Sequence, residues 1–338
     1  MPRQLRSTDV VIVGMGAAGG VAALPLAEAG LDVVGLEAGT WLDQRDFAPD
    51  EIRNNYRDWP MLVKKCENER PTSRATSATN ANRVGGHPMM NAVGGTAVHY
   101  WAQSWRLNPW DFQVVSETAR RYGRSKIPAN STVEDWPFGY DELEPYYDRV
   151  EREIGVSGQA GNVSGNIDLK GNRFEGPRKR PYPMPPLRWT GFLETMADAA
   201  HSLGWHPFPG PAAINSERYD GRAGCAYHGF CSKGGCPVNA KNSPHLTTIP
   251  KALDTGNLRI VTQAHVTTLE MDGEGRVTGV NYVVGNEEYF QPAKVVLLAC
   301  YTYENVRLLL LSKSSAYPDG LSNNHGQVGR HYFSHHQG

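Results

Sequence analysis

Residues 9–20 read Asp-Val-Val-Ile-Val-Gly-Met-Gly-Ala-Ala-Gly-Gly, and this stretch decides the fold. The apolar run at 10–13 predicts a short buried strand, and the segment from Ala17 to Ala29 predicts a helix. A second apolar strand, from Leu31 to Leu36, is followed by the acidic residue Glu37. Strand, glycine turn, helix and strand in this order predict the βαβ unit of a dinucleotide-binding fold.

The glycines of the turn each have a mechanical reason to be glycine. Gly14 permits the tight turn, Gly16 lets the backbone approach a pyrophosphate, and Gly19 lets the helix pack closely against the strand. The phosphates then lie at the helix N-terminus, where unbonded N–H groups and the helix dipole favour an anion. Glu37 is placed where a carboxylate binds a ribose diol. Pro25 lies inside the predicted helix, and we expect it to kink or shorten that helix.

Composition limits the remaining possibilities. The chain has 338 residues, enough for two domains with cores of their own, and its formal net charge of −1 gives no case for nucleic-acid binding. No apolar run reaches the length of a membrane span, and the apolar run after Arg3 and Arg6 is the first predicted strand rather than an export signal. Three of the five cysteines are clustered, unlike a secreted disulfide framework. Cys66 and Cys300 stand apart, and Cys300 is predicted to pack in the core.

Several further elements are predicted downstream. The periodicity of 141–154 predicts an amphipathic helix whose apolar face carries Leu143, Tyr147, Val150 and Ile154. The other predicted elements are a helix at 192–203, two strands within 261–284 around a turn at 272–275, a buried strand at 294–299 and a helix at 304–311. The last two return the chain to the nucleotide domain.

Four separated segments carry a family resemblance. Residues 93–101 read Val-Gly-Gly-Thr-Ala-Val-His-Tyr-Trp, 136–147 read Trp-Pro-Phe-Gly-Tyr-Asp-Glu-Leu-Glu-Pro-Tyr-Tyr, 304–309 read Glu-Asn-Val-Arg-Leu-Leu, and 326–330 read Gly-Gln-Val-Gly-Arg. Together with the N-terminal glycine motif they resemble the glucose–methanol–choline (GMC) flavin oxidoreductases. Within that family they resemble most the branch of gluconate, fructose and glucose dehydrogenase large subunits and of pyranose oxidase. The resemblance covers essentially the whole chain.

The resemblance implies an α/β fold with an FAD-binding, Rossmann-like domain and an inserted, partial substrate domain. We expect the FAD-binding domain at 1–40 and 255–338, a flavin-covering, loop-rich segment at 41–135, and a partial substrate or cap region at 136–254 that contains the cysteine cluster. In relatives, the base that takes the hydroxyl proton lies beyond the equivalent of Gly338. The catalytic residues are therefore unknown from this sequence, and the chain looks C-terminally incomplete.

The resemblance also implies a cofactor and a reaction. The enzymes of this branch use FAD to oxidise a hydroxyl of a sugar, sugar acid or polyol by hydride transfer to the flavin. By position, Gly94, Gly95 and Thr96 are expected to approach the flavin, and the backbone of Val266 to contact the adenine. His99 occupies the position at which pyranose oxidase bonds a histidine covalently to the flavin. A covalent bond at His99 and simple packing against the flavin ring both remain open.

The clustered cysteines predict a further group. They lie in a glycine-rich stretch and are Cys225, Cys231 and Cys236. Thiolates at such short spacing favour an iron–sulfur cluster, and three of them suit a three-iron cluster, which some sugar dehydrogenases of this branch carry. Zinc is an alternative that needs a fourth ligand such as His228 or His245. One disulfide with a spare thiol, or three buried free cysteines, is a further alternative.

These expectations define a functional hypothesis with two alternatives. Electrons would leave the flavin through the iron–sulfur cluster to a cytochrome or quinone-linked partner, with a small subunit in the same complex. The alternatives are a GMC oxidase that passes its electrons to oxygen and produces peroxide, and a non-catalytic FAD-binding fragment. The expected location is the periplasm, membrane-associated through a partner, with the cytoplasm as the alternative.

Overall fold

A computed structural model describes residues 2–47, 52, 72–74, 79–83, 89–228, 231 and 234–332. The chain divides into two compact units. Unit 1 consists of residues 1–100, 229–237 and 243–338, and unit 2 of residues 101–228 and 238–242. The segment predicted at 41–135 is thus divided between the units, and the domain boundaries drawn from the sequence stay predictions. Cys66 lies outside the described residues.

The strands and helices of the described residues follow in chain order. The strands are β1 Arg3–Gln4, β2 Thr8–Val13, β3 Val33–Leu36, β4 Thr72–Ser73, β5 Asn82–Arg83, β6 Asn162–Val163, β7 Asn166–Ile167, β8 Leu258–Val261, β9 Ala264–Met271, β10 Val277–Val284 and β11 Glu287–Leu298. The α-helices are α1 Ala17–Glu28, α2 Val114–Tyr122, α3 Tyr140–Ile154, α4 Gly191–Ser202, α5 Thr248–Asp254 and α6 Thr302–Leu311. Short 3-10 helices span Gln44–Asp46, Gly95–Val98, Pro109–Phe112, Arg124–Lys126 and Pro244–Leu246. None of the helices in these ranges is long and apolar enough to cross a bilayer.

Unit 1 is built on a seven-stranded mixed sheet. Its order is β8-β3-β2-β11-β10-β9, and β1 pairs with β11. β8, β3, β2 and the second half of β11 run parallel, whereas β11, β10 and β9 pair antiparallel. β11 serves both parts because residues up to Pro292 pair with β10 and residues from Ala293 pair with β2. The parallel part places the carboxyl ends of β2, β3 and β11 at one edge of the sheet.

The core of unit 1 lies on both faces of the parallel strands. Val10 and Ile12 of β2 belong to a buried cluster that includes Ile249 of α5, while Val11 and Val13 belong to a cluster with side chains of β9, β10 and α6. All four β2 side chains are at most 5% exposed. A strand buried on both faces is typical of a parallel sheet between covering layers, and it explains why the sequence there is a continuous apolar run.

Most predicted elements of unit 1 are confirmed, with shifted ends. β2 and α1 form where the sequence predicts them, and β3 begins two residues later than expected. α1 continues three residues beyond Pro25, so the proline does not end the helix where it stands. β9 and β10 flank the predicted turn at 272–275, and α6 begins at Thr302 rather than at Glu304. β11 begins seven residues before the predicted strand at 294–299.

In unit 2, the helix predicted at 141–154 forms as α3, and of the four apolar residues predicted to share one face only Ile154 is fully buried. The residues that α3 buries are Tyr140, Glu144, Asp148, Glu151 and Ile154, while Leu143, Tyr147 and Val150 are half-buried. The reason is a set of buried ion pairs, in which charged side chains of α3 meet arginines from other segments. The amphipathic pattern predicts the helix correctly, but it does not show which acids of the helix are buried against partners from other segments.

These ion pairs centre on two arginines. The Arg106 guanidinium donates to both carboxylate oxygens of Glu151, at 2.7 and 2.8 Å, and to Glu144 at 3.2 Å. Arg178, 1% exposed, donates to the same Glu151 and lies over the Tyr182 ring at 3.6 Å from its centroid. Bidentate contacts to fixed carboxylates are the geometry in which a buried guanidinium is best compensated.

Candidate functional site

Unit 1 contains a cavity of about 530 Å³ at the carboxyl ends of its parallel strands. Its wall is formed by the turn after β2, the residues after β3, the segment 89–100, the start of β9, and the residues that join β11 to α6. In open α/β sheets, ligands bind in the crevice outside the carboxyl ends of the strands. The cavity is therefore the candidate functional site.

The glycine turn after β2 has the geometry that its sequence predicts. The Gly14 N–H donates to the Leu36 carbonyl at 2.8 Å, and Gly14 has a φ of +91°. A Cβ atom at Gly14 would lie 2.7 Å from the carbonyl oxygen of Ala299. A Cβ at Gly19 would lie 2.0 Å from the Gly14 carbonyl oxygen, so Gly19 provides the close approach of α1 to the turn without lining the cavity.

Gly16 and Gly95 bring two backbone segments together beside the cavity, and both line it. A Cβ at Gly95, whose φ is +57°, would lie 2.8 Å from the Cα of Gly16. Gly16 itself has a φ of −77°, and its own Cβ would make only an ordinary contact, at 3.7 Å from the Gly95 Cα. Gly16 is also the N-cap of α1, and no described side chain caps this end. The N-terminus of α1 therefore offers backbone N–H groups to a ligand in the cavity.

Glu37 joins the turn to the end of β3. Its Oε2 accepts the Met15 N–H at 2.9 Å and its Oε1 accepts the Gly39 N–H at 2.9 Å. The side chain lines the cavity although the residue is only 6% exposed. An ionised carboxylate has about four lone-pair sites, so each oxygen can accept a further hydrogen bond from a ligand hydroxyl.

The start of β9 continues the wall next to Glu37. The Ala264 N–H donates to the Glu37 carbonyl at 2.9 Å, which fixes the strand beside this residue. Val266, 8% exposed, lines the cavity together with His265. The structure thus places the sequence-predicted Val266 on the same cavity as Glu37 and the glycine turn.

The segment 89–100 covers another side of the cavity. Gly94 has a φ of +92°, donates its N–H to the Met15 carbonyl at 2.7 Å, and packs against His245. The Thr96 hydroxyl accepts the Met90 N–H at 3.3 Å, and Thr96 lines the cavity. Gly94 instead lies behind the wall, where its missing side chain makes room for the imidazole.

His99 and Tyr100, at the end of this segment, differ in whether they line the cavity. His99 is 3% exposed and follows the 3-10 helix Gly95–Val98, and it is not among the described residues that line the cavity. Tyr100 does line the cavity, and burial raises the pKa of its hydroxyl above its usual value. Tyr100 is therefore a neutral phenol at physiological pH.

The wall between β11 and α6 contains residues that the sequence analysis did not assign to a site. Cys300, predicted as a core residue, does pack against the core but also lines the cavity. Its N–H and its thiol donate to Asn305 Oδ1 at 3.1 and 2.9 Å. Glu304 and Arg307 line the cavity and form an ion pair with an N–O distance of 2.8 Å. The sequence could have indicated these residues by their position, since they follow the carboxyl end of a predicted strand of the parallel sheet, where ligands bind.

The clustered cysteines do not form a metal site among the described residues. Cys225 belongs to unit 2, whereas Cys231 and Cys236 belong to unit 1, and each is partly buried and outside any disulfide among the described residues. No group of three or more His, Cys, Asp or Glu side chains within the described ranges is arranged to hold a metal ion. The Cys225 Sγ accepts the Tyr227 N–H at 3.3 Å. The described geometry therefore gives no ligand set for an iron–sulfur cluster or for zinc, and it shows no disulfide among these cysteines.

His245, one of the two candidate zinc ligands, has a structural contact. Its Nδ1 lies 2.6 Å from the Ser243 hydroxyl oxygen, and the imidazole packs against the backbone of Gly94. The residue is 4% exposed. In this position the imidazole supports the segment 89–100 from behind the cavity wall.

Comparison with known proteins gives a consistent result. Residues 192–337 match the family model described as GMC oxidoreductase. The chain is 32% identical over 350 residues to the gluconate 2-dehydrogenase flavoprotein of Pantoea cypripedii, covering 97% of this chain and 56% of that protein. It is 30% identical over 352 residues to the fructose dehydrogenase large subunit of Gluconobacter japonicus, covering 99% of this chain and 60% of that one. The chain thus spans somewhat more than half the length of these relatives.

The fold has counterparts among solved structures. An FAD-dependent oxidoreductase from Chaetomium thermophilum aligns with a TM-score of 0.56 at 16% identity, over 90% of this chain and 47% of that one. At this identity the likeness concerns the fold alone. By its matched domain and its similarity to these relatives along nearly its whole length, the chain belongs to the GMC oxidoreductase family.

Proposed function

We propose that this chain binds FAD in the cavity of unit 1 and forms the flavin-bearing part of a dehydrogenase that oxidises a hydroxyl of a sugar, sugar acid or polyol. The observation that carries the proposal is the convergence of Gly16, the α1 N-terminus, Glu37 and Gly95 on one cavity. The names of the relatives, gluconate 2-dehydrogenase and fructose dehydrogenase, support the substrate class.

The residues of the cavity fit a dinucleotide. The volume lies within the range of about 300–1,000 Å³ that is usual for ligand sites. The uncapped N-terminus of α1 suits a pyrophosphate, and the fixed carboxylate of Glu37 suits the hydroxyls of a ribose. The lack of side chains at Gly16 and Gly95 leaves the space that a phosphate needs to approach the backbone.

The division of labour follows from this arrangement. When bound, FAD supplies the two-electron acceptor for a hydride removed from the substrate. The α1 N-terminus holds negative charge, and Glu37, locked by the Met15 and Gly39 N–H groups, orients the hydroxyls that it accepts. Tyr100 presents a neutral phenol that can donate a hydrogen bond on the cavity wall. We assign no base for the substrate hydroxyl to any residue of this chain.

A valine at Gly16 tests the cofactor assignment. Gly16 has an ordinary negative φ, and its Cβ would make only an ordinary contact, at 3.7 Å from the Gly95 Cα, so Gly16→Val should keep the fold while its side chain occupies the cavity. We expect the variant to lose bound FAD, measured as flavin absorbance per polypeptide after gel filtration. The matched control is Gly139→Val, since Gly139 has extended backbone and no atom within 4 Å of its Cβ position. Stoichiometric FAD in a folded Gly16→Val protein would refute the assignment.

His99 is proposed as the attachment point if the flavin is covalent. Acid precipitation followed by a denaturing gel distinguishes the two cases, because covalent flavin remains fluorescent on the protein band. Free flavin in the supernatant contradicts the bond. If the bond exists, acid should release the flavin from His99→Ala but not from the unsubstituted chain. Circular dichroism checks that the variant, which lacks the buried imidazole, still folds.

Activity separates a dehydrogenase from the alternatives. In a dehydrogenase, a sugar or polyol substrate should bleach the flavin absorbance without oxygen, and reoxidation should need an added electron acceptor. Rapid oxygen consumption without such an acceptor indicates the peroxide-producing oxidase. Failure of every tested substrate to bleach a correctly loaded flavin indicates a non-catalytic FAD-binding fragment.

We propose the electron route from the cysteine spacing alone. Cys225, Cys231 and Cys236 would ligate an iron–sulfur cluster, and electrons would pass to a cytochrome or quinone-linked partner in a complex that includes a small subunit. Iron and acid-labile sulfide analysis tests the cluster, and Cys231→Ser should abolish its paramagnetic resonance signal while substrate still reduces the flavin. Absence of iron, or zinc in its place, overturns the route.

A periplasmic location, membrane-associated through a partner, remains a proposal that follows from the electron route. It predicts that the chain is found in the periplasmic fraction only when its partner subunit is present. Periplasmic chain without the partner contradicts export in a complex. Chain that stays cytoplasmic with the partner present supports the cytoplasmic alternative.

A further inference from the structure

Unit 2 contains a second cavity, of about 520 Å³, that the proposed function does not use. It shares no lining residue with the cavity of unit 1. Its apolar wall includes the half-buried rings of Trp189, Pro186 and Pro207. An indole and two pyrrolidine rings present flat, rigid surfaces, against which the C–H face of a ligand ring can pack.

The polar residues that line this cavity are basic or neutral. They are Lys170, Gln159, His201 and His206, and no acidic side chain is among the described residues that line it. The nearby Asp168 is bonded to two lining residues, since its Oδ2 accepts the Gln159 amide at 3.0 Å and its Oδ1 accepts the Lys170 backbone N–H at 2.9 Å. The cavity therefore offers one ammonium group and no competing carboxylate on its wall.

We propose that this cavity binds a sugar acid, a hydroxylated ring that carries a carboxylate. The Lys170 ammonium matches the carboxylate by charge. Hydroxyl groups both donate and accept hydrogen bonds, and the imidazoles of His201 and His206 can do the same. Gln159 can accept from a hydroxyl through its Oε1, since its Nε2 already donates to Asp168 and to the Ala160 carbonyl. The Trp189 indole matches the apolar face of the ring. The inference concerns binding alone and does not depend on flavin chemistry.

Titration with D-glucuronate tests the proposal, with neutral D-glucose as the analogue that lacks the carboxylate. Binding is measured by calorimetry on the FAD-loaded chain at low salt. We expect D-glucuronate to bind at least tenfold more tightly than D-glucose, and Lys170→Gln to weaken D-glucuronate binding at least tenfold. The matched control Lys126→Gln removes the same charge from an exposed lysine of unit 2 outside the cavity and should leave the affinity unchanged.

Three results overturn the inference: no D-glucuronate binding, equal affinity for D-glucose, or unchanged D-glucuronate affinity in Lys170→Gln. A Trp189→Leu variant, checked for folding by circular dichroism, should lose affinity for D-glucuronate, and full affinity in this variant contradicts the stacking wall. Repeating the titration on Gly16→Val keeps the two proposals separate. That variant should lose FAD and still bind D-glucuronate if the second cavity is the site.

Discussion

At the scale of single residues, Gly14 and Gly16 differ in what a side chain would do. Gly14 combines a φ of +91° with a Cβ position 2.7 Å from the Ala299 carbonyl oxygen, whereas Gly16 has an ordinary backbone and a Cβ position in ordinary contact with the Gly95 Cα. A methyl group at Gly14 should therefore lower the stability of the fold, whereas a side chain at Gly16 should weaken ligand binding in the cavity. The sequence analysis assigned Gly14 to the tight turn and Gly16 to the approach of a ligand, and the positive φ of Gly14 is the turn conformation that this assignment needs.

We expect Gly14→Ala to lower the free energy of unfolding by about 3 kcal/mol, because a left-handed conformation costs an L-residue about 1–2 kcal/mol and the backbone contact adds strain of similar size. Gly30→Ala is the control, since Gly30 has a φ of +78° with no atom within 4 Å of its Cβ position. It should cost only the conformational part, about 1–2 kcal/mol. Urea unfolding measures both variants, and equal effects would show that the Ala299 contact contributes nothing.

Arg178 gives a second prediction at this scale. Its side chain is fully buried and paired with Glu151, so Arg178→Met leaves a buried carboxylate short of a partner. We expect a loss of about 3–5 kcal/mol in the free energy of unfolding. Arg180→Met is the control, because Arg180 pairs with Asp148 while 56% exposed, and such a pair contributes at most about 1 kcal/mol. A small effect at Arg178 would mean that unit 2 repacks around the methionine.

At the scale of elements, helix α1 contains a proline, Pro25, that lies well beyond the glycine turn at its N-terminus. Pro25 lies in the ninth position of α1 and deprives the Val21 carbonyl of its helical donor. Pro25→Ala should raise the free energy of unfolding by about 1–2 kcal/mol, since the regained helix propensity of about 3 kcal/mol exceeds the added entropy of the unfolded chain. Pro128→Ala, in an irregular segment, should not stabilise the protein. Loss of stability in Pro25→Ala would show that the ring's packing outweighs the missing hydrogen bond.

The elements also show which signals in the sequence were local. β2, α1 and β3 were predicted because their periodicity and glycines act over a few residues. β11 was found only in its second half, since residues 287–292 read Glu-Glu-Tyr-Phe-Gln-Pro and pair with β10, a contact that no local pattern encodes. The burial of acids on α3 was not predicted for the same reason, because their partners come from distant segments. The strand pairing of 287–292 and the burial of the α3 acids both depend on residues of other segments, which local periodicity does not report.

At the scale of the whole molecule, the candidate site is assembled from five segments spread over about 300 residues. The sequence predicted four of them, through the glycine turn, Glu37, the segment at 94–96 and Val266. It did not predict the segment with Cys300 and Asn305, which comprises the residues after β11 and the start of α6, although the motif at 304–309 contributed to the family resemblance. The motif at 304–309 identified the family, but it did not show that its residues line the cavity. That became visible only once β11, the strand before it, was placed in the sheet.

A ligand held by all five segments should stabilise them together. We expect FAD to slow amide hydrogen exchange at 14–18, 36–39, 89–97, 264–266 and 300–308 relative to the FAD-free chain, because binding favours the closed native state of each segment. Helix α4, which contributes no residue to this cavity, is the internal control and should exchange at the same rate. Gly16→Val with added FAD is the second control and should show no protection at all. Protection at 14–18 without protection at 300–308 would place the cofactor away from Cys300 and Asn305, and it would remove that segment from the site.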